Sequence, residues 1–284
     1  MTQFENCILC GSEITPVSGY EKHKLVKCSS CKFVFCKPKP SAEELINHYK
    51  SYGRAKGISQ ITIKRYNELL DSFEKYRKTN NIIDVGCGDG YFLAEAAKRG
   101  WKVFGTEFTE EAIRVCEMKN ISMKMGSIKA EMYPADFFDI ITSFEVIEHI
   151  NNPIEETHIY KTILRPGGIV YLTTPNFNSV SRLVLGAKWN VIEYPEHLCY
   201  YTRGTLKKLF SRIGFASREA RTTGVSFSRF YGSTHTDLAP AFSDEALRKK
   251  TETNFVFRVF KWAVNFLLNL SGRGDSLKAI FIKT

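Results

Sequence analysis

A glycine-rich turn directly after a short apolar run is the feature that most constrains the fold of this chain. Residues 82–85 (IIDV) predict a buried strand, residues 86–90 (GCGDG) a turn, and residues 91–99 a helix. Three glycines in five residues allow a ligand to approach the backbone at a helix N-terminus. Alone, such a turn is consistent with a dinucleotide site or with tight packing of the helix.

The same alternation of apolar runs and helical stretches continues beyond this turn. Further strands are predicted at 101–107, 139–144, 169–173 and 217–221, with a final one at 277–282. Strands that alternate with helices form βαβ units, so we expect an α/β fold with a parallel sheet. The second strand ends at Glu107, whose two carboxylate oxygens suit the two hydroxyls of a ribose.

Two cysteine pairs near the N-terminus predict a metal site. Cys7 and Cys10 form one CxxC pair, Cys28 and Cys31 a second, and 17 residues separate the pairs. This spacing is typical of a four-cysteine zinc ribbon, in which no ligand position is left open for catalysis. We therefore expect a structural zinc ion, with two unrelated reduced pairs as the alternative. The remaining cysteines are interpreted as small buried apolar residues; they are Cys36, Cys87, Cys116 and Cys199.

Charge is distributed unevenly along the 284 residues. The net charge is +10. Residues 1–202 are nearly balanced, with 25 basic and 24 acidic side chains, whereas residues 203–284 hold 15 basic and 6 acidic side chains. The basic region predicts an anionic acceptor or partner, or else a solvated face. Nucleic acid is not expected, because residues 1–40 hold 6 Lys, no Arg and 3 Glu. The N-terminus shows no secretory signal, so we expect a cytoplasmic protein.

Four segments of the chain carry a resemblance to a known family. They are IIDVGCGDGYFL, VFGTEF, FDIITSFEVIEHI and LRPGGIVYLTTPN. In this order and spacing they resemble class I S-adenosylmethionine-dependent methyltransferases, over about residues 80–220. The resemblance implies a Rossmann-like, doubly wound sheet of seven mostly parallel strands, the last one antiparallel. It also implies S-adenosylmethionine as the cofactor and S-adenosylhomocysteine as its product.

The resemblance implies a set of cofactor-binding residues. Residues 84–89 would line the methionine part of the cofactor, Glu107 would hold the ribose, and Phe108 with the turn at 126–128 would flank the adenine. Residues 145–149 would face the transferred methyl group. The full expected set is Asp84, Gly86, Cys87, Gly88, Asp89, Glu107, Phe108, Ser127, Ile128, Phe144 and Glu145.

A second resemblance lies in residues 185–213, which contain YPEHLCYYT at 194–202. They are similar to a branch of bacterial methyltransferases, often preceded by a four-cysteine zinc segment, that modify sugars, quinone-like lipids, peptides and other specialised metabolites. In sugar C-methylating relatives, the residues matching Glu196 and His197 are proposed to act as acid and base. His197 is thus our first candidate base, or a substrate contact, and His149 is a second candidate or a structural cap.

Methyl transfer from a sulfonium requires alignment of nucleophile, carbon and sulfur more than elaborate acid–base groups. We expect transfer to an oxygen of an acidic small molecule or peptide, either a carboxylate or a hydroxyl, in a bacterial biosynthetic pathway. The zinc ribbon would help to recognise this acceptor. Methylation of a sugar or glycan at carbon or oxygen is one alternative, and a non-catalytic zinc-ribbon module that binds a partner is another.

The expected domain organisation has four parts: a zinc ribbon at 1–40, a helical linker and substrate-side cover at 41–79, the core at 80–222, and a basic lid, apolar helix and final strand at 223–284. The helix at 254–270 is apolar nearly all round. It should therefore be buried on two sides, over the acceptor pocket, in a dimer or at a membrane surface. A final strand inside the sheet would favour the first of these. Tyr52, Tyr200 and Tyr201 either line the acceptor site or pack at an edge.

Overall fold

The computed structural model describes residues 2–41, 44–45, 57–226 and 255–284, without the side chains of 255–258. The strands are β1 (Ile14–Pro16), β2 (Leu25–Cys28), β3 (Val34–Cys36), β4 (Asn81–Val85), β5 (Lys102–Glu107), β6 (Ser122–Met125), β7 (Phe138–Phe144), β8 (Leu164–Pro175), β9 (Cys199–Tyr200), β10 (Phe215–Thr223) and β11 (Ser276–Lys283). The α-helices are α1 (Gln60–Phe73), α2 (Tyr91–Lys98), α3 (Glu110–Glu117), α4 (Pro153–Ile163), α5 (Val180–Leu185), α6 (Arg203–Ile213) and α7 (Phe255–Ser271).

The larger sheet has seven strands in the order β10-β11-β8-β7-β4-β5-β6. Strands β4 to β8 run parallel, and β11 runs antiparallel between β8 and β10. All five residues of β4 are buried, as the continuous apolar run predicts for a central strand covered on both faces. The predicted Rossmann-like fold is confirmed, and its antiparallel last strand β11 lies inside the sheet.

Two elements have bounds that differ from the prediction, and a buried carboxylate connects their ends. In the helical linker predicted at 41–79, helix α1 ends at Phe73, and the strand predicted at 169–173 already begins at Leu164. Asp139 lies between them: its Oδ2 accepts hydrogen bonds from the backbone N–H groups of residues 78–80, at 2.7 to 2.9 Å. Its Oδ1 accepts one from Nε of Arg165. These bonds hold the segment that enters β4 against the start of β8.

The smaller sheet joins the cysteine-rich segment to the core. Its order is β1-β2-β3-β9, and β9 belongs to the loop that contains His197. Phe33 and Phe35 are fully buried, and the Phe33 ring lies 5.1 Å from the ring of Tyr201. The apolar side chains of the ribbon are thus continuous with those of the larger sheet. A short cysteine-rich segment gains stability by sharing that core.

The C-terminal helix α7 is oriented differently from the prediction. Two-sided burial is wrong for its described side chains, since Trp262 is 68% exposed and Leu270 is 73% exposed. The inner face instead carries asparagines that cap the edge strand β10: the N–H of Thr222 donates to Asn269 Oδ1 at 3.1 Å, and that of Gly224 to Asn265 Oδ1 at 2.8 Å. Edge-strand N–H groups need acceptors, so the polar side of the helix faces inward.

Some predictions fall on parts of the chain that the structure does not describe. Tyr52 and the section of the predicted lid at 227–254 lie outside the described residues. Among the residues that are described, no helix combines the length and the apolar content needed to cross a bilayer.

Candidate active site

The glycine turn lies at the carboxyl end of β4 and leaves an open backbone surface. Gly86, Gly88 and Gly90 all have positive φ, at 69°, 53° and 69°. A Cβ added at Gly86 would lie 2.7 Å from Val146 Cγ2, whereas one added at Gly88 would meet nothing within 4 Å. The turn is therefore packed on one side and open on the other, which suits a ligand that contacts the backbone directly.

Glu107, at the end of β5, points its carboxylate at this turn. Oε2 accepts a hydrogen bond from the N–H of Gly88 at 3.0 Å, and Oε1 accepts one from the N–H of Phe108 at 2.7 Å. Each carboxylate oxygen has a second acceptor position, so both can still receive a hydroxyl. The arrangement fits the predicted binding of a ribose diol.

Asp84 is the buried acid of the site. Its side chain accepts a hydrogen bond from Thr142 Oγ1 at 2.7 Å and is only 3% exposed. Burial, with a smaller contribution from the negative charge of Glu107, raises the pKa of Asp84 to about 7. A cationic ligand beside it, such as an ammonium or sulfonium group, would favour its ionised form. Sequence reasoning did not select Thr142, although a threonine in a buried strand beside an acid is a usable signal.

The other expected cofactor residues surround this turn. Phe108 is 46% exposed and Ser127 is exposed, whereas Ile128 is buried. The turn at 126–128 is tied to β5 because the N–H of Gly126 donates to the carbonyl of Glu107 at 2.8 Å. An exposed aromatic ring next to Glu107 is a suitable surface for a flat base.

Cys87, Asp89, Phe144 and Glu145 complete the predicted set. The Cys87 side chain is partly buried, 3.9 Å from Cys116 Sγ, and the backbone carbonyl of Asp89 accepts a hydrogen bond from Lys119. The Phe144 ring packs edge-on against Phe92 at 5.1 Å. Glu145 has φ 53°, which is uncommon for a residue with a side chain and turns the chain sharply at the end of β7.

The structure brings the two candidate histidines together. His149 lies in the short 3-10 turn after β7, His197 lies in the loop before β9, and their ring centroids are 4.7 Å apart. Nδ1 of His149 lies 2.6 Å from the carbonyl oxygen of Glu196, and Nδ1 of His197 lies 2.6 Å from that of Val191. A carbonyl can only accept, so Nδ1 of each ring carries a proton.

Burial sets the charge state of one of these rings. The pKa of His149 is lowered to about 4, mainly by burial and then by the neighbouring His197, so this ring is neutral at pH 7. Glu196 contributes its carbonyl to the pair. Its predicted role as an acid stays a prediction.

Glu148, in the stretch predicted to face the methyl group, lies beside the histidines. It is buried, its Oε2 accepts a hydrogen bond from Thr174 Oγ1 at 2.9 Å, and its carbonyl accepts one from the N–H of Leu198. The possible ligand atoms of Glu148, His149 and His197 all lie within 4.8 Å of one another, a geometry that could hold a divalent cation.

Tyr200 and Tyr201 were predicted either to line the acceptor site or to pack at an edge. Both are buried core residues.

The four predicted metal ligands form one cluster. Sγ of Cys7 lies 3.5 Å from that of Cys31, and Sγ of Cys10 lies 3.4 Å from that of Cys28. With zinc–sulfur bonds of about 2.3 Å, tetrahedral ligation places sulfur atoms roughly 3.8 Å apart. The cluster therefore fits a zinc ion. The cysteine cluster also has a hydrogen bond to the core domain, because Nζ of Lys208 in α6 donates to the carbonyl of Cys31.

Comparison with known proteins gives one family and a consistent set of relatives. The model of the methyltransferase domain family matches residues 59–220, more than half of the chain. The ubiquinone biosynthesis O-methyltransferase of Azoarcus sp. is 27% identical over 190 residues, which are 63% of this chain and 77% of that protein. The corresponding enzyme of Burkholderia thailandensis is 28% identical over 184 residues, which are 62% of this chain and 75% of that protein.

Solved structures show the same fold at lower identity. A SAM-dependent methyltransferase from Archaeoglobus fulgidus superposes with a TM-score of 0.53 and 19% identity, covering 80% of this chain and 95% of that one. A putative sarcosine dimethylglycine methyltransferase from Galdieria sulphuraria superposes with a TM-score of 0.54 and 15% identity, covering 78% of this chain and 85% of that one.

Proposed function

This chain belongs to the methyltransferase domain family and is a methyltransferase, and from that premise we propose that it transfers the methyl group of S-adenosylmethionine to an oxygen of a small acidic acceptor. The bacterial relatives are named as O-methyltransferases, which supports oxygen as the atom methylated. The positions of the two histidines carry the rest of the proposal. The family match and the intact glycine turn favour an enzyme over the non-catalytic module.

The cofactor pocket is proposed at the open turn after β4. Gly88 would let the cofactor lie against the backbone, Glu107 would accept hydrogen bonds from the ribose hydroxyls, and Asp84 would face the cationic methionine part. When bound there, S-adenosylmethionine supplies an electrophilic methyl group. The raised pKa of Asp84 supports this placement, since a buried carboxylate is stabilised by a cation beside it.

His197 is proposed as the base that accepts the acceptor's proton. Its Nδ1 is held on the Val191 carbonyl, so Nε2 is the nitrogen that can take a proton from a hydroxyl. His149, neutral and 4.7 Å away, would orient His197 without competing for charge. This arrangement favours a hydroxyl acceptor, because a carboxylate is already ionised at neutral pH and needs no base.

The four cysteines are proposed to hold a structural zinc ion. Such an ion would stabilise the ribbon, whose strand β3 pairs with β9 in the loop that carries His197. Cys36 is the link between them: its N–H donates to the carbonyl of Leu198 at 2.8 Å. The ribbon would thus help to shape the acceptor side of the pocket.

The experiment is an assay of S-adenosylhomocysteine formation with a panel of phenols, carboxylic acids and sugars, and mass spectrometry of the products. We expect turnover of an acidic hydroxyl compound. His197→Ala should lower that turnover by about 10²- to 10⁴-fold and leave cofactor binding unchanged. His158→Ala, at an exposed position on α4, is the matched control and should be fully active. Full activity of His197→Ala would refute the role of His197 as base.

A further inference from the structure

Helix α7 presents an apolar face to the outside. The outward face consists of six side chains, each about half or more exposed: Val259, Phe260, Trp262, Phe266, Leu267 and Leu270. Trp262 and Phe266 stack on each other with ring centroids 5.7 Å apart. A surface helix normally turns its apolar side to the core, whereas this one places Asn265 and Asn269 against the end of β10 and leaves these six side chains exposed. Exposed apolar patches of this kind mark interaction sites.

A basic cleft lies at the C-terminal end of the same helix. It has a volume of 530 Å³ and is lined by residues of α7, the ribbon and the start of α6. Its charged lining residues are all cations, and the described residues contribute no acid to it; the cations are Lys27, Lys32, Arg182 and Arg203. Leu270 belongs both to the cleft and to the outward face of α7, so the apolar and the basic surfaces are adjacent.

The guanidinium groups of the cleft are held in place by neutral partners. Arg203 donates to the carbonyl and to Oδ1 of Asn269, and its buried Nε has no hydrogen-bond partner within the part of the chain that is described. Arg182 donates to the carbonyl of Phe177 and to the hydroxyl of Tyr20. These contacts leave the positive charges uncompensated, so the cleft favours anionic ligands.

We propose that the outward face of α7 and the basic cleft together form a docking surface for an anionic lipid bilayer. The helix would lie in the plane of the interface with Trp262 and Phe266 among the lipid chains, and the cleft would face lipid phosphates. An apolar helical face bordered by cations is the pattern that such surfaces share. This inference does not depend on the proposed methyl acceptor.

A second copy of the chain is the main competing occupant. A twofold symmetric dimer over the same face would bring two equally basic surfaces to one interface, and the described lining of neither cleft offers an acid to the other. The cations would then lack counter-charges, whereas an anionic membrane supplies them. Charge complementarity thus favours the lipid surface.

The test is binding of the full chain to vesicles of phosphatidylcholine alone and of equal parts phosphatidylcholine and phosphatidylglycerol. We expect sedimentation with the anionic vesicles only, weakened by salt. Trp262 gives a direct readout, because Trp101 and Trp189 are buried. Its fluorescence should shift to shorter wavelength on binding. Equal binding to both vesicle types, or no shift, would overturn the proposal.

Matched variants separate the two components of the surface. Phe266→Glu should reduce binding at least tenfold, whereas Met118→Glu, at an even more exposed apolar residue just after α3, should not. Lys27→Gln with Lys32→Gln should reduce binding about 30-fold, roughly fivefold for each cation removed. Lys102→Gln, at an exposed lysine at the start of β5, is the control. Sedimentation velocity completes the test: a dimer abolished by Phe266→Glu, without vesicle binding, would assign the face to a second copy.

Discussion

The buried acid Asp84 should lower the stability of the unliganded protein, and its removal should raise it. The pKa of Asp84 is raised to about 7 by burial, against about 3.9 for an exposed aspartate. At a pH between these two pKa values, Asp84 is protonated in the folded chain and ionised in the unfolded chain. The free energy of unfolding therefore falls as the pH rises from about 4 to about 7 and stays low above that range.

The magnitude follows from the size of the shift. Each pKa unit corresponds to about 1.4 kcal/mol, so the cost of Asp84 is about 1 to 2 kcal/mol at pH 5 and about 4 kcal/mol at pH 8. Asp84→Asn keeps the shape of the side chain and its acceptor for Thr142 but cannot ionise. Relative to the natural chain, the variant should gain roughly 2 to 3 kcal/mol between these two pH values.

Urea unfolding without cofactor, at pH 5 and at pH 8, measures this difference directly. The buried amide of Asp84→Asn can also change the free energy of unfolding by an amount that does not depend on pH. That amount is the same at pH 5 and pH 8, so it cancels in the difference. Glu117→Gln, at an exposed position on α3, should show no such gain. In the same variant series, calorimetry should show that Asp84→Asn binds S-adenosylmethionine more weakly. An equal stability difference at both pH values would refute the assignment of a buried, destabilising carboxyl.

Three further predictions concern the cofactor, the metal and the core. Glu107→Ala should weaken S-adenosylmethionine binding about a hundredfold in calorimetry, because two charged hydrogen bonds are lost. Cys28→Ser, or removal of the proposed zinc ion by a chelator, should lower the melting temperature and the turnover but leave cofactor affinity unchanged, since β4 and β5 belong to a different sheet from the ribbon strands. Asp139→Ala should reduce the free energy of unfolding by about 3 to 5 kcal/mol in urea titrations, because Arg165 is left buried without its partner.

The predictions that depended on neighbouring residues agree best with the structure. Apolar runs bounded by glycines predicted the central strands, because the period of burial is a local property of the chain. The four cysteines form a cluster, as their spacing indicated. Predictions about the cofactor residues stay predictions, although Asp84, Gly88 and Glu107 do lie at one edge of the sheet.

Predictions that depended on distant residues agree less well with the structure. Composition indicated that α7 is buried on two sides, but β10 at the sheet edge needs hydrogen-bond acceptors, and this requirement turned Asn265 and Asn269 inward. Tyr200 and Tyr201 became core residues because β9 pairs with the ribbon strand β3. In both cases the strand that decides the outcome lies far away in the sequence, so no pattern of neighbouring residues includes it.

The spacing of apolar, glycine and cysteine residues was sufficient to predict the central strands, the glycine turn and the cysteine cluster, because each depends on spacing within a few residues or on a repeated pair. Only the tertiary structure placed His149 beside His197, 48 positions later in the chain, and set the two rings on carbonyls of the same loop. The physical reason is that local spacing decides periodicity and turns, whereas long-range packing decides which side chains share a buried environment and which face of a helix meets solvent.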